Sequence, residues 1–158
     1  MGLDMFLSSK IYVGGKYHYI KQRKITVSKE WEKREFHNSY DLPTGNIEYI
    51  SYSVGYWRKA NQIHNWFVNN IQDGNDNCEL YRVSEEKLQE LLKICKNIYE
   101  TKDKKMALAA LPPCDGFFFG NSSPANSTFW DDYWYDIRHT ITTLENALEF
   151  NKQYQGTL

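Results

Sequence analysis

From Trp130 to Leu148 the apolar residues Trp130, Trp134, Ile137, Ile141, Leu144 and Leu148 recur at steps of 4, 3, 4, 3 and 4. That period lays a single stripe along about five turns of α-helix. A strand cannot hold it, because alternate residues of a strand point to opposite faces. A stripe this long has to be covered, so the rest of the chain must supply a matching apolar surface. The spacing predicts a helix over 129–153, starting near Thr128 with Asp131 at a capping-box offset. Asp132, Asp136, His139 and Thr143 form a polar stripe on another face of it.

Two further helices follow from the same logic. Over 84–100, Ser84 is a good N-cap and Glu85 and Glu86 sit in the first turn, where the helix dipole favours them. Leu88, Leu91, Leu92, Cys95, Ile98 and Tyr99 give that helix one apolar face. Over 56–71, Tyr56, Ala60, Ile63, Phe67 and Ile71 form a stripe, flanked by a second one of Trp57, Asn61, His64 and Val68. Lys102 to Lys105 read as a solvated charged end, and Met106 to Leu111 as a short apolar run halted by Pro112-Pro113.

Strand patterns are concentrated toward the N-terminus. Residues 5–13 and 17–27 alternate about Gly14-Gly15, a hairpin signal. Residues 47–54 alternate again after the turn-forming Pro43-Thr44-Gly45-Asn46, and 116–120 read as a short buried strand between glycines. Residues 31–40 are charged and ambiguous. The expected architecture over 1–158 is one α+β domain, an N-terminal antiparallel sheet covered by two to three helices.

Formal net charge is -1, so no global field draws nucleic acid, and nucleic acid is not an expected partner. The charge is uneven: residues 1–40 hold eight Lys/Arg against four Asp/Glu, the remainder eleven against sixteen. Within the basic part, Lys16 to Lys24 interleaves cations with rings, a pattern that can track phosphates, though a solvated hairpin is the simpler reading. Cys78, Cys95 and Cys114 are too widely spaced for a disulfide framework or zinc site. No run approaches 18 apolar residues and no signal-peptide pattern opens the chain, so a soluble cytoplasmic protein without membrane attachment is expected.

The chemistry points to binding more than to a reaction. Aromatic residues make up 16% of the chain, and rings with polar tips serve flat-ligand pockets as well as cores. In the helix expected over 56–71, Arg58 and Lys59 stand in the first turns, against the dipole, which implies an acidic neighbour or an anionic ligand. Asp136 and His139 are i, i+3 partners that, with His64, would supply an acid and a base if the two helices met. Nucleophile elbows, Walker and dinucleotide loops are absent, and Asp73-x-Asn75-x-Asn77 lacks the remainder of a calcium loop. No cofactor is expected.

The segments Met1-Gly2-Leu3-Asp4-Met5, Tyr56-Trp57-Arg58-Lys59-Ala60-Asn61-x-Ile63-His64-x-Trp66-Phe67-Val68, Gln72-Asp73-Gly74 and Gly116-Phe117-Phe118-Phe119-Gly120 resemble a family of small uncharacterised proteins encoded by phages and prophages. The resemblance implies one compact domain working in the cytoplasm of an infected bacterium. Phage accessory proteins of this size often counter host immunity, some by sequestering nucleotide-derived signals. In that setting the expected ligand is a small nucleotide-derived anion. Arg58 and Lys59 would take its phosphate, Trp57 or Trp66 would stack its base, and Asn61 and His64 would meet its polar edges, in a homo-oligomer. The alternatives are a phosphodiesterase or hydrolase using His64, Asp136 and His139, and an inhibitor of a host defence protein acting through an aromatic surface.

Overall fold

The computed structural model describes residues 4–12, 49–114, 124–125, 127–154, 156 and 158. The hairpin at Gly14-Gly15, the basic segment from Lys16 to Lys24, the strands expected over 17–27 and 116–120 and the turn at 43–46 lie outside these residues. Strand β1 (Asp4–Tyr12) pairs antiparallel with β2 (Tyr49–Arg58), from Asp4 opposite Arg58 to Tyr12 opposite Tyr49. Period-two alternation sorts β1 cleanly: Leu7 and Ser9 are buried on the inner face, Phe6 and Ser8 exposed on the outer. Opposite them the register slips. Leu7 faces Gly55 and Ser8 faces Ser53, so Val54 is an extra residue, a β-bulge that bends β2.

β2 corrects one expectation. The strand was expected to end by Gly55 and a helix to start at Tyr56; instead β2 runs on through Trp57 to Arg58, and the helix α1 is Asn61–Ile71. Tyr56, Trp57 and Arg58 fit the period of either structure. Pairing with Phe6, Met5 and Asp4, and burial of Trp57 under the sheet, decide for the strand. Gly55 permits that burial. A Cβ there would lie 2.8 Å from Thr143 Cγ2 and 3.1 Å from both Leu7 Cβ and Trp57 Cη2. Gly55→Ala should therefore cost about 1–3 kcal/mol by overpacking, read as a lower denaturation midpoint. A neutral substitution would mean that the sheet and the helix above it lie farther apart.

Helix α2 (Glu85–Thr101) follows the expected pattern: the Ser84 hydroxyl accepts from the Lys87 amide at 3.3 Å, and Leu88, Leu91, Cys95 and Ile98 are buried. The apolar run after it forms a short helix, α3 (Lys104–Ala110), whose first residues Lys104 and Lys105 belong to the segment expected as a solvated charged end. Asp103 caps it, accepting from the amides of Lys105 and Met106. Lys102, in the left-handed region with φ 53°, turns the chain between the two.

Helix α4 (Phe129–Tyr154) packs on α2 along one flank and on the sheet along another. Its buried face accordingly departs from the expected stripe. Ile137 and Leu144 are buried as expected, but Trp130, Trp134, Ile141 and Leu148 are only half-buried. Tyr133, Thr140, Thr143, Ala147 and Asn151 are buried with them. The polar members of this set are all accommodated. Trp57 Nε1 donates to Thr140 Oγ1 at 3.0 Å, and the Tyr133 hydroxyl is shared between the carbonyls of Ala107 and Leu111 at 3.0 and 2.9 Å. Asn151 accepts from Ser9 at 3.3 Å and donates to Glu85, joining β1, α2 and α4. Buried side chains thus keep their hydrogen bonds, which removes the main cost of burying them. The described residues form an α+β fold: a two-stranded antiparallel sheet near the N-terminus, and helices over its inner face. None of these helices is long and apolar enough to cross a membrane.

Candidate anion-binding site

The turn from β2 into α1 is made in two residues, Lys59 and Ala60. Lys59 has φ 60°, a left-handed conformation that is costly for a residue with a Cβ. The helix that follows has no side-chain N-cap and no acidic residue in its first turn. Most helix starts carry one or the other, since the dipole and the first-turn amides favour negative charge. Here the chain instead presents exposed Arg58 and Lys59 at the positive end of α1. Guanidinium and ammonium are groups that phosphates and carboxylates take, while Asn61, Gln62 and Ile63 of the first turn are themselves buried.

An aromatic surface lies beside this corner. Phe6 and Tyr56 face each other across the two strands on the outer face of the sheet, ring centroids 5.2 Å apart and planes tilted by 37°. They are 68% and 43% exposed, which leaves ring surface open to a planar ligand. The Tyr56 hydroxyl donates to Asp4 at 2.8 Å, and this bond is the main reason its pKa lies above the ordinary tyrosine value, with Arg58 pulling the other way.

Two side chains of α4 meet the same junction from the inner side. Gln62, in the first turn of α1, donates Nε2 to Asp136 at 3.1 Å. Burial pushes the Asp136 carboxyl up to about 6, the neighbouring Asp132 charge adds to the rise, and the Gln62 bond and His139 oppose it. His139 donates Nε2 to the Tyr56 carbonyl at 2.8 Å, its ring stacked on Tyr135 with centroids 6.2 Å apart.

Of the six residues expected to bind ligand, only Arg58 and Lys59 are exposed. Trp57 is 2% and Trp66 6% exposed, so both rings belong to the core. Asn61 is buried, and its carbonyl accepts from the Cys114 thiol at 3.5 Å. His64 is buried too, with Nε2 3.0 Å from Asp76 and Nδ1 3.1 Å from the Met5 sulfur. The acid–base trio is likewise divided: Asp136 and His139 meet the start of α1 and the end of β2, while His64 pairs with the loop after α1.

Phe6, Gln62 and Asp76 were not expected in these roles, nor Tyr56 as an exposed ring. The alternation of β1 carried a signal for Phe6, since it shares parity with Asp4, Ser8 and Lys10 and not with Leu7. Nothing local marks Asp76. Compared with models of protein families, with curated proteins and with solved structures, the chain finds no match.

Proposed function

We propose that this protein binds a small anionic, nucleotide-derived molecule at the corner between β2 and α1 and sequesters it. The observation that carries the reading is the pair of exposed cations, Arg58 and Lys59, beside a helix start that has no side-chain N-cap and no acidic residue. Phosphate oxygens would take the Arg58 guanidinium and the Lys59 ammonium, and a base would lie against Phe6 and Tyr56, a role expected from sequence of Trp57 or Trp66. In the phage setting that the sequence resemblance implies, such a ligand would be an immune signal, and the protein its sponge.

The test is thermal unfolding against cyclic dinucleotides, cyclic ADP-ribose isomers and mononucleotides, with the bound molecule afterwards released by heating and analysed. At about a hundredfold excess over its dissociation constant, the ligand should stabilise the fold by ~3 kcal/mol and be recovered intact. Arg58→Ala should weaken binding at least about tenfold, the worth of one charge-assisted hydrogen bond. No stabilisation across the panel, or unchanged affinity in that variant, would remove the proposal.

One observation favours a second reading. A carboxyl held near 6 beside a histidine is poised for proton transfer near neutral pH, as a hydrolase acting on the same class of ligand would need. Recovery of altered ligand, lost on Asp136→Asn, would select it.

A further inference from the structure

We infer that the outer face of the sheet binds single-stranded nucleic acid, with the β2–α1 corner at one end of its path. The inference deepens the reading of that corner and rests on it. Period-two alternation puts Phe6, Ser8, Lys10 and Tyr12 of β1 on this face, and the register sets Tyr56 opposite Phe6 and Tyr49 opposite Tyr12. Two cross-strand ring pairs result, with centroids 5.2 and 5.8 Å apart. Tyr12 and Tyr49 are 63% and 43% exposed, much as Phe6 and Tyr56 are. Each pair has a cation beside it. Arg58 follows Tyr56 on the same face, and the Lys10 ammonium stands 4.5 Å from the Tyr49 ring centroid. Exposed Ser8, Ser51 and Ser53 occupy the interval between the pairs.

The repeat of ring pair and cation selects the occupant. From Phe6 to Tyr12 along β1 is about 20 Å at ~3.3 Å per residue, farther than the two bases of a cyclic dinucleotide can span. A single strand alternates flat bases with phosphates, and rings interleaved with cations are the surface that takes both. The whole chain has a net charge of -1, so the field is local to this face. Among its described residues Lys10, Arg58 and the adjoining Lys59 stand against Asp4 alone, and Asp4 already accepts from the Tyr56 hydroxyl. A second copy laid on the same face would bring these cations together, which opposes self-association. An apolar partner would cover them without pairing them.

Fluorescence anisotropy tests the path with labelled oligothymidylate and oligouridylate of about eight nucleotides, and with labelled thymidine dinucleotide. The tighter octamer identifies the strand as DNA or RNA. It should bind at least about tenfold more tightly than the dinucleotide, which one ring pair holds, and its affinity should fall steeply with salt. In the Tyr12→Ala, Tyr49→Ala double variant, whose fold is checked by circular dichroism, the octamer's advantage should vanish. An octamer no tighter than the dinucleotide, or equally tight on the folded variant, would overturn the inference and leave the corner reading in place. Binding of none of the three probes would remove both. A dimer in sedimentation that the double variant dissolves, without octamer binding, would give the face to a second copy instead.

Discussion

Trp57→Ala should lower stability by about 3–5 kcal/mol in chemical denaturation. The indole is 2% exposed, lies beneath the bulged end of β2, and packs against Phe67 with centroids 6.0 Å apart. Its N–H also ties the sheet to α4 through Thr140, whose hydroxyl in turn donates to the Asp136 carbonyl at 2.7 Å. Truncation would leave a large cavity and a buried hydroxyl without its indole donor. Trp57→Phe keeps most of the ring and loses that hydrogen bond, so it should cost less than the alanine variant. A loss below about 1 kcal/mol for Trp57→Ala would place the indole at the surface, as a stacking residue, and contradict the extended β2.

Replacing Asp136 with Asn should raise stability at pH 7.5 by about 2–3 kcal/mol and flatten its pH dependence. The folded-state value, near 6, lies above the ordinary 3.8, so the native protein holds this proton more tightly than the unfolded chain does. Below about pH 4 both states are protonated and the group is neutral in effect. As pH rises through the interval from about 4 to 6, the unfolded chain releases the proton first and stability falls; above 6 the full cost of the buried carboxylate remains. A shift of about two units corresponds to roughly 3 kcal/mol at most. Asn retains an oxygen for the Gln62 donor, so the variant removes the charge with little change in shape. The readout is the difference between the two proteins' stability curves, because other carboxylates titrate in the same range. Parallel curves would mean that Asp136 is solvated.

The parts of this fold that could be read from sequence are those in which local pattern and tertiary packing agree. Helix α2 carries its cap, its first-turn acids and a single apolar stripe, and it forms where those signals put it. The junction at 56–60 is the opposite case. Tyr56, Ala60 and Ile63 lie at helical spacing, yet Tyr56 and Trp57 belong to β2, because pairing with β1 gives them partners that a free helical turn would not. That difference of five residues moves Trp57 from an expected stacking position into the core. Arg58 and Lys59 were legible as candidates for an anion from their type and place alone. The exposed Phe6–Tyr56 pair was not, since it requires the strand register. The pairing of His64 with Asp76 could not be read either, because a loop contact across twelve residues leaves no periodic trace.

The most direct test of the β2–α1 corner is an amide spectrum of labelled protein titrated with pyrophosphate and with a cyclic dinucleotide. Binding at the start of α1 predicts that the Lys59, Gln62 and Ile63 amides shift with both. The Phe6 and Tyr56 signals should move only with the dinucleotide, which alone carries bases. Shifts that spare the start of α1, or an unchanged spectrum at millimolar ligand, would contradict the assignment of this corner as the binding site.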